Sequence, residues 1–181
     1  LWKDQAAAWP GAYPHNPGDH REYGLSTYNY HTDGSGIHFA SWHRPMLNVR
    51  IGYITYPDPK IRGSGLRHFP ADSHLTAWLE AKGYDFDIIT DWERHHEGHE
   101  LLKRYQVVMT GSHPEYHTTE MLDALEAYRD GGGRLMYMGG NGFYWKIALS
   151  KDKPGQIEIR RAEGGIRAWA AEPGEYYNQL D

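Results

Sequence analysis

The chain has 181 residues, of which 39% are hydrophobic and 24% are charged, and its formal net charge at pH 7 is −5. This composition fits one globular domain, or one domain with an arm. The negative charge argues against a nucleic-acid partner, and no apolar run reaches the roughly 20 residues of a membrane span. The absence of cysteine excludes disulfides, thiolate nucleophiles and cysteine-bound metals, so any metal must be held by His, Asp, Glu or Tyr.

The first 48 residues show no sustained hydrophobic period and are rich in Gly, Pro, Asn, His and Tyr. This pattern predicts a turn-rich arm or inter-domain linker over residues 1–48, followed by an α/β domain over residues 49–181. The chain begins at Leu1, without a signal-peptide pattern. We therefore expect a cytoplasmic protein, and a segment of a longer polypeptide truncated at the C-terminus.

From residue 49 onward, short apolar runs alternate with helical patterns. Strands are predicted at residues 49–56, 86–90, 106–110 and 135–138, with a later half-exposed strand at 156–161. Between them, helices are predicted near residues 71–83, 97–105 and 120–129. The first would start at Asp72 or Ser73 and end at Gly83, while Thr118 or Thr119 would cap the third. This alternation predicts a parallel, doubly wound sheet with helices on both faces.

The third helix has a predicted buried stripe, which consists of Met121, Leu122, Leu125 and Tyr128. In the later strand, Ile157 and Ile159 would lie on one face and Glu158 and Arg160 on the other.

Polar side chains collect where the predicted strands end. These segments are residues 56–59, Asp91, residues 112–117 and residues 139–144. The carboxyl ends of parallel strands share one sheet edge, which is where open α/β sheets bind ligands. The loop at 112–117 places His113, Glu115, Tyr116 and His117 within five positions. The alternative is a solvated polar loop with no further role.

Residues 139–145 (GGNGFYW) have the glycine pattern of a nucleophile elbow, in which a sharp turn lifts one side chain above the sheet. The lifted residue would be Asn141, which cannot attack a carbonyl. Asn141 could hold or polarise a substrate, or it could simply satisfy the turn. The pattern Gly-x-Ser-x-Gly does not occur, so a serine hydrolase is disfavoured.

Several histidines and arginines have weaker claims to function. His95 and His99 are four residues apart, but Glu97 is out of position for the His-Glu-x-x-His zinc motif, which favours a polar surface helix. His74 could be a ligand or a base, or only part of a helix start. Arg62, Arg67 and His68 could grip an anion, but neither nucleotide-binding glycine motif accompanies them, so solvated loop charges are the simpler interpretation.

Tyr116 has a different chemistry. An ionised phenol is a hard oxygen donor, which suits a trivalent iron. Its position in a polar loop after a predicted strand makes it a candidate metal ligand.

Five stretches together resemble the large (beta) subunit of the N,N-dimethylformamidase family, in its C-terminal glutamine-amidotransferase-like domain. The resemblance runs from about residue 25 to the end, and residues 111–118 are its most specific part. The stretches are residues 25–31 (LSTYNYH), 44–48 (RPMLN), 63–72 (GSGLRHFPAD), 111–118 (GSHPEYHT) and 139–145.

The resemblance implies a flavodoxin-like, class I amidotransferase-like sheet and an amidohydrolase that cleaves a small N-substituted formamide to formate and an amine. It implies a mononuclear Fe(III) held by two tyrosines and one glutamate. Tyr116 matches one tyrosine. The second is expected near the start of the first helix, where His74 could substitute, and the glutamate is expected past Asp181. His113 and Asn141 are the catalytic candidates.

The related class I amidotransferases use an elbow cysteine, and Asn141 stands in that place, so cysteine-based amide transfer is excluded. The expected partners are a small amide substrate, a small partner subunit and further copies of the chain, without nucleic acid or membrane. Two other function classes stay open. One is a non-catalytic module that binds a ligand or docks a subunit. The other is a carbohydrate-active protein, suggested by 14 tyrosines and 7 tryptophans.

Overall fold

The computed structural model describes residues 25–27, 31–33, 36–44, 49 and 68–159. This part of the chain contains three helices and seven short strands. In chain order they are β1 Phe39–Ser41, α1 Phe69–Ala81, α2 Asp91–Leu102, β2 Val107–Met109, β3 Tyr116–His117, α3 Thr119–Asp130, β4 Arg134–Met136, β5 Trp145–Lys146, β6 Ala148–Leu149 and β7 Gln156–Glu158.

The strands form two parallel pairs and one antiparallel sheet. β2 pairs in parallel with β4, and β3 pairs in parallel with β5. β7 lies between β1 and β6, antiparallel to both, so the segment predicted to be an arm contributes one strand to this sheet. The mixed α/β class with parallel pairing is confirmed. The flavodoxin-like strand order and helices on both faces stay predictions, as do the domain boundaries.

The predicted helices are present, with shifted ends. α1 begins at Phe69, because Pro70 suits the first helical turn; the predicted starts at Asp72 and Ser73 are wrong, although the helix ends just before Gly83 as expected. α2 begins six residues earlier than predicted, since Thr90 and Glu93 form a capping box. α3 starts after Thr118, whose hydroxyl accepts a hydrogen bond from the Met121 backbone N–H.

The prediction of a strand at residues 86–90 is wrong. Residues 86–90 form no strand among the described residues, and only Ile89 in this segment is partly buried. The prediction for residues 49–56 lies outside the described residues except for Val49. In β7, the predicted half-exposed strand with Glu158 on its polar face is wrong, because Glu158 is buried whereas Ile157 is only partly buried.

The main apolar cluster lies between α2, α3 and the β2–β4 pair. Its buried members are Leu102, Ala124, Leu125 and Tyr128, and Ile89, Val108, Leu135 and Phe143 pack against them. Ala124 takes a place in the buried stripe of α3 that the sequence pattern assigned to Leu122, which is only partly buried. In the described part of the chain, every helix is too short or too polar to cross a membrane.

A buried polar network joins α2 to β3. Arg94 Nη2 donates a hydrogen bond to His117 Nδ1 at 3.0 Å, and it also pairs with Asp91 at 2.9 Å. A guanidinium can only donate, so Nδ1 of His117 must be the acceptor and Nε2–H donates to the Pro114 carbonyl at 2.8 Å. His117 is therefore held in its neutral form, in a fixed tautomer, behind the loop at residues 111–115.

This network predicts a loss of stability in acid. Burial, followed by the nearby Arg94 charge, lowers the pKa of His117 from 6.5 to about 4. Between these values the unfolded chain binds more protons than the folded one, so stability falls as the pH falls from 6.5 to 4, by at most about 3 kcal/mol. Thermal unfolding measured across this window should show the loss.

The variant His117→Gln should lose less stability over the same pH window than the wild type. The matched control is His74→Gln, because His74 is exposed on α1, and its pH dependence should equal that of the wild type. Equal pH dependence in His117→Gln and the wild type would contradict this assignment.

Candidate functional site

Two loops meet at the carboxyl ends of β2 and β4. The in-register parallel pairing puts these ends side by side, and the backbone of Thr110 and its hydroxyl extend the contact to Met136 and Met138. The first loop, residues 111–115, follows β2, and the second, residues 139–144, follows β4. We call them the β2 loop and the β4 loop.

Backbone hydrogen bonds join the two loops directly. Gly140 N–H donates to the Ser112 carbonyl at 3.2 Å, and Phe143 N–H donates to the Pro114 carbonyl at 3.0 Å. The amides of Tyr144 and Trp145 both donate to the Glu115 carbonyl, at 3.1 and 3.0 Å. The predicted meeting of residues 112–117 with residues 139–144 at one sheet edge is therefore confirmed.

The glycines of the β4 loop allow a very close approach. A Cβ added at Gly139 would lie 2.4 Å from the carbonyl carbon and oxygen of Ser112, which no larger residue permits. Asn141 follows in the left-handed region with a φ of 47° and its side chain is exposed. The turn is thus sharp, but the role of Asn141 in substrate contact stays a prediction.

The β2 loop carries a carboxylate that is shielded from water. Glu115 is 3% exposed, and its Oε2 lies 3.5 Å from His113 Nε2. A carboxylate in such a place is costly to bury unless positive charge or hydrogen bonds compensate it. A carboxylate beside an imidazole can orient the ring for proton transfer, and a carboxylate oxygen is also a good ligand for a hard cation.

His113 also contacts an aromatic ring from the residue that precedes α1. The ring of His68, which is buried just before α1, meets the His113 ring edge to face, with centroids 5.4 Å apart. The hydroxyl oxygen of the preceding residue, Ser112, is buried and has no hydrogen-bond partner among the described residues. The loop therefore presents an imidazole, a carboxylate and a hydroxyl in one small region.

The two predicted metal ligands lie in different surroundings. Tyr116 is 8% exposed and packs in an apolar cluster with Trp145, Ile147 and Ile159. His74 is exposed on α1. Within the described ranges, no group of three or more His, Asp or Glu side chains is arranged to hold a metal. The roles of Tyr116 and His74 stay predictions.

One histidine of α2, His95, lies at the junction with α3. His95 Nδ1 lies 2.8 Å from the hydroxyl of Thr118, the cap of α3, and 3.4 Å from Glu120. Burial lowers the pKa of His95, and the Glu120 charge partly opposes that shift. His95 thus lies at the junction between α2 and α3.

Glu115 is the site residue to which sequence reasoning gave no role. The polar composition predicts the loop, but it does not distinguish Glu115 from the other polar residues there. Burial distinguishes it, and its backbone carbonyl is bound by the amides of Tyr144 and Trp145, more than twenty residues away along the chain. The available local signal was its place between two histidines in residues 111–118.

The close approach of Gly139 to Ser112 predicts a sharp difference between two adjacent glycines. Gly139→Ala should lower the free energy of unfolding by about 2 kcal/mol, because its methyl group would overlap the Ser112 backbone. Gly140→Ala is the matched control, since its nearest neighbour, the His113 ring, lies at 3.6 Å. Thermal unfolding of both variants checks this, and equal melting temperatures would contradict it.

Comparison with known proteins shows which proteins the chain is similar to. Residues 8–181 match the family model described as N,N-dimethylformamidase beta subunit-like, C-terminal. Over 157 residues, the chain is 47% identical to the N,N-dimethylformamidase beta subunit of Paracoccus aminophilus and 46% identical to that of Alcaligenes sp. Each alignment covers 86% of this chain but 19% of the relative, so the chain spans about a fifth of the length of these relatives.

The family match covers nearly the whole chain, and it confirms the resemblance seen in the sequence motifs. The chain belongs to the N,N-dimethylformamidase beta subunit-like, C-terminal family.

Proposed function

We propose that this chain is part of a formamidase-like amidohydrolase subunit that hydrolyses a small N-substituted amide with the help of a bound iron. Two relatives are named N,N-dimethylformamidase beta subunit, which supports a formamide as the substrate class. The observation that carries the proposal is the buried Glu115 carboxylate beside His113, at the meeting of the two loops.

The donor chemistry of the β2 loop fits a ferric ion in part. A carboxylate is a hard oxygen donor, which suits a ferric ion. Glu115 is such a group, and it takes the role of the glutamate that the sequence resemblance placed past Asp181. The described residues offer no complete set of His, Asp and Glu ligands, so the remaining ligands would come from elsewhere in the polypeptide.

Glu115 and Tyr116 are alternative ligands of one ion. Successive residues of an extended segment point to opposite sides, so the two side chains are not expected to meet on the same cation. Tyr116 matches the family motif but packs among apolar side chains, whereas Glu115 lies with His113. We therefore propose Glu115 as the iron ligand, and the measurement described below separates the two.

The side chains of the β2 and β4 loops have different proposed roles in amide hydrolysis. When bound, the iron would supply a Lewis acid for the carbonyl oxygen or for water. His113 takes a proton from the attacking water as its oxygen adds to the carbonyl carbon, and it returns that proton to the nitrogen as the C–N bond breaks. Glu115 orients the imidazole of His113, and the exposed Asn141 amide can hold the substrate carbonyl.

The relatives are named as beta subunits, which supports assembly with a different subunit. We propose in addition that this partner is small and that further copies of the chain assemble with it. We propose that the assembled enzyme works in the cytoplasm. A non-catalytic module is the rival, and it is tested by the same measurements.

Glu115→Gln should remove iron from the full-length enzyme, because the amide is a poorer ligand for a ferric ion than the carboxylate. Metal analysis should show the loss, and turnover of N,N-dimethylformamide should fall by about 100-fold or more. Glu80→Gln is the matched control on the exposed side of α1 and should keep both.

Three results would contradict the proposal. Iron content and turnover that survive Glu115→Gln would exclude Glu115 as the ligand. Loss of iron in Tyr116→Phe with retention in Glu115→Gln would assign the metal to the phenol. A wild-type enzyme without iron and without turnover on short amides would favour the non-catalytic module.

His113→Gln should separate proton transfer from metal binding. Turnover should fall by about 100-fold, since general acid–base catalysis contributes this much, while the iron content stays at the wild-type level. His96→Gln is the control, because His96 is exposed on α2 and has no proposed role in the site. Turnover within about twofold of wild type in His113→Gln would exclude His113 as the base.

A further inference from the structure

We infer that Asp72, on α1, is a positioning residue that sets the conformation of the β2 loop and thereby the placement of His113 and Glu115. This inference rests on the proposed function, because it assigns Asp72 to the same site. Two observations support it. The Ser112 backbone donates a hydrogen bond to Asp72, forty residues away along the chain, and Gly111 leaves space for the carboxylate.

The Asp72 carboxylate is directed at the β2 loop. Its Oδ1 accepts a hydrogen bond from the Ser112 backbone N–H at 2.6 Å. Acidic residues early in a helix commonly satisfy the helix's own free amides, but α1 has no side-chain cap hydrogen bond. The carboxylate therefore serves the loop, through a short charge-assisted bond.

Gly111 makes the approach of this carboxylate possible. A Cβ at Gly111 would lie 2.9 Å from Asp72 Oδ2 and 3.1 Å from its Cγ. The φ of Gly111 lies outside the left-handed region, so the backbone conformation does not require glycine there. Glycine is required at this position because a larger residue would leave no space for the Asp72 carboxylate.

The Ser112 peptide groups are held from two sides. Asp72 binds the N–H, and Gly140 of the β4 loop binds the carbonyl at 3.2 Å. His113 follows immediately, so these two bonds determine where its side chain begins. The Asp72 side chain on α1 and the backbone of the β4 loop thus both fix the backbone of Ser112.

The start of α1 contacts the loop at a second point, through His68. Its ring packs edge-on against His113, and its backbone adopts a φ of 55°, which is strained for a residue other than glycine. His68 O accepts the N–H of Asp72 at 2.8 Å, so both contacts belong to one turn of chain. A strained residue that touches a candidate catalytic ring indicates that this turn is built to support the site.

The test compares Asp72→Ala, Asp72→Asn and Asp123→Ala in the full-length enzyme with its partner subunit. Asp123 is exposed on α3 and is the matched control. Asp72→Ala should lower kcat for N,N-dimethylformamide by roughly tenfold to 100-fold, with KM within about twofold. Asp72→Asn should recover most of this loss, because its amide oxygen can accept the same hydrogen bond.

Hydrogen exchange gives a second readout that does not depend on turnover. Exchange of the amides in residues 111–117 should be about tenfold faster in Asp72→Ala than in Asp123→Ala, because the bond to Ser112 is lost. If the wild type has neither iron nor turnover, the proposed function fails, and the exchange rates still decide the role of Asp72.

Wild-type kcat together with wild-type exchange in Asp72→Ala overturns the inference. So does Asp72→Asn behaving like Asp72→Ala, since the acceptor atom would then be irrelevant. If Asp72→Ala does not fold, Gly111→Ala replaces it, because its methyl group displaces the carboxylate from Ser112. A folded Gly111→Ala enzyme with wild-type kcat and exchange also overturns the inference.

Discussion

The constraint on which the site depends is the removal of one carboxylate, that of Glu115, from water. Desolvating a charge is expensive, so the surrounding structure has to supply compensation and hold it in place. Backbone contacts between the two loops hold this residue in place, since the amides of Tyr144 and Trp145 donate to the Glu115 backbone carbonyl. These contacts require the ends of β2 and β4 to lie side by side, which is why the parallel pairing matters for function.

The helices α1 and α2 also hold the β2 loop in place. His117 donates to the Pro114 carbonyl and accepts from Arg94, so the loop is tied through a buried imidazole to α2. Asp72 ties the same loop to α1 through Ser112. Together with the β4 loop, these two helices thus hold Ser112, Pro114 and Glu115 of the β2 loop. Rigid support of this kind is what a catalytic constellation needs.

Local signals were sufficient for much of the fold. α3 was predicted within one residue at each end, because Thr118 caps its start and glycines stop it. The start of α2 was missed, because Gly98 interrupts the helical pattern and Thr90 was not identified as a cap. The strand expected at residues 86–90 rested on an apolar run alone, and such a run does not say whether a neighbouring strand pairs with it.

The sequence predicts which segments form the site, but not how their side chains are arranged. Strand-end loops with polar composition and a family motif pointed to residues 112–117 and 139–144. The burial of Glu115 and the bond from Asp72 to Ser112 come from contacts across more than twenty residues, and no periodicity or spacing records them. Tyr116 stood out in the motif for its chemistry, whereas Glu115 stands out only once the fold encloses it.

The most direct test of the account is a crystal structure of the intact enzyme with anomalous scattering measured at the iron absorption edge. The account predicts an iron peak about 2 Å from a carboxylate oxygen of Glu115, a usual length for a carboxylate bond to a transition metal. An iron peak bonded to other side chains, with the Glu115 carboxylate contacting protein atoms alone, would contradict it.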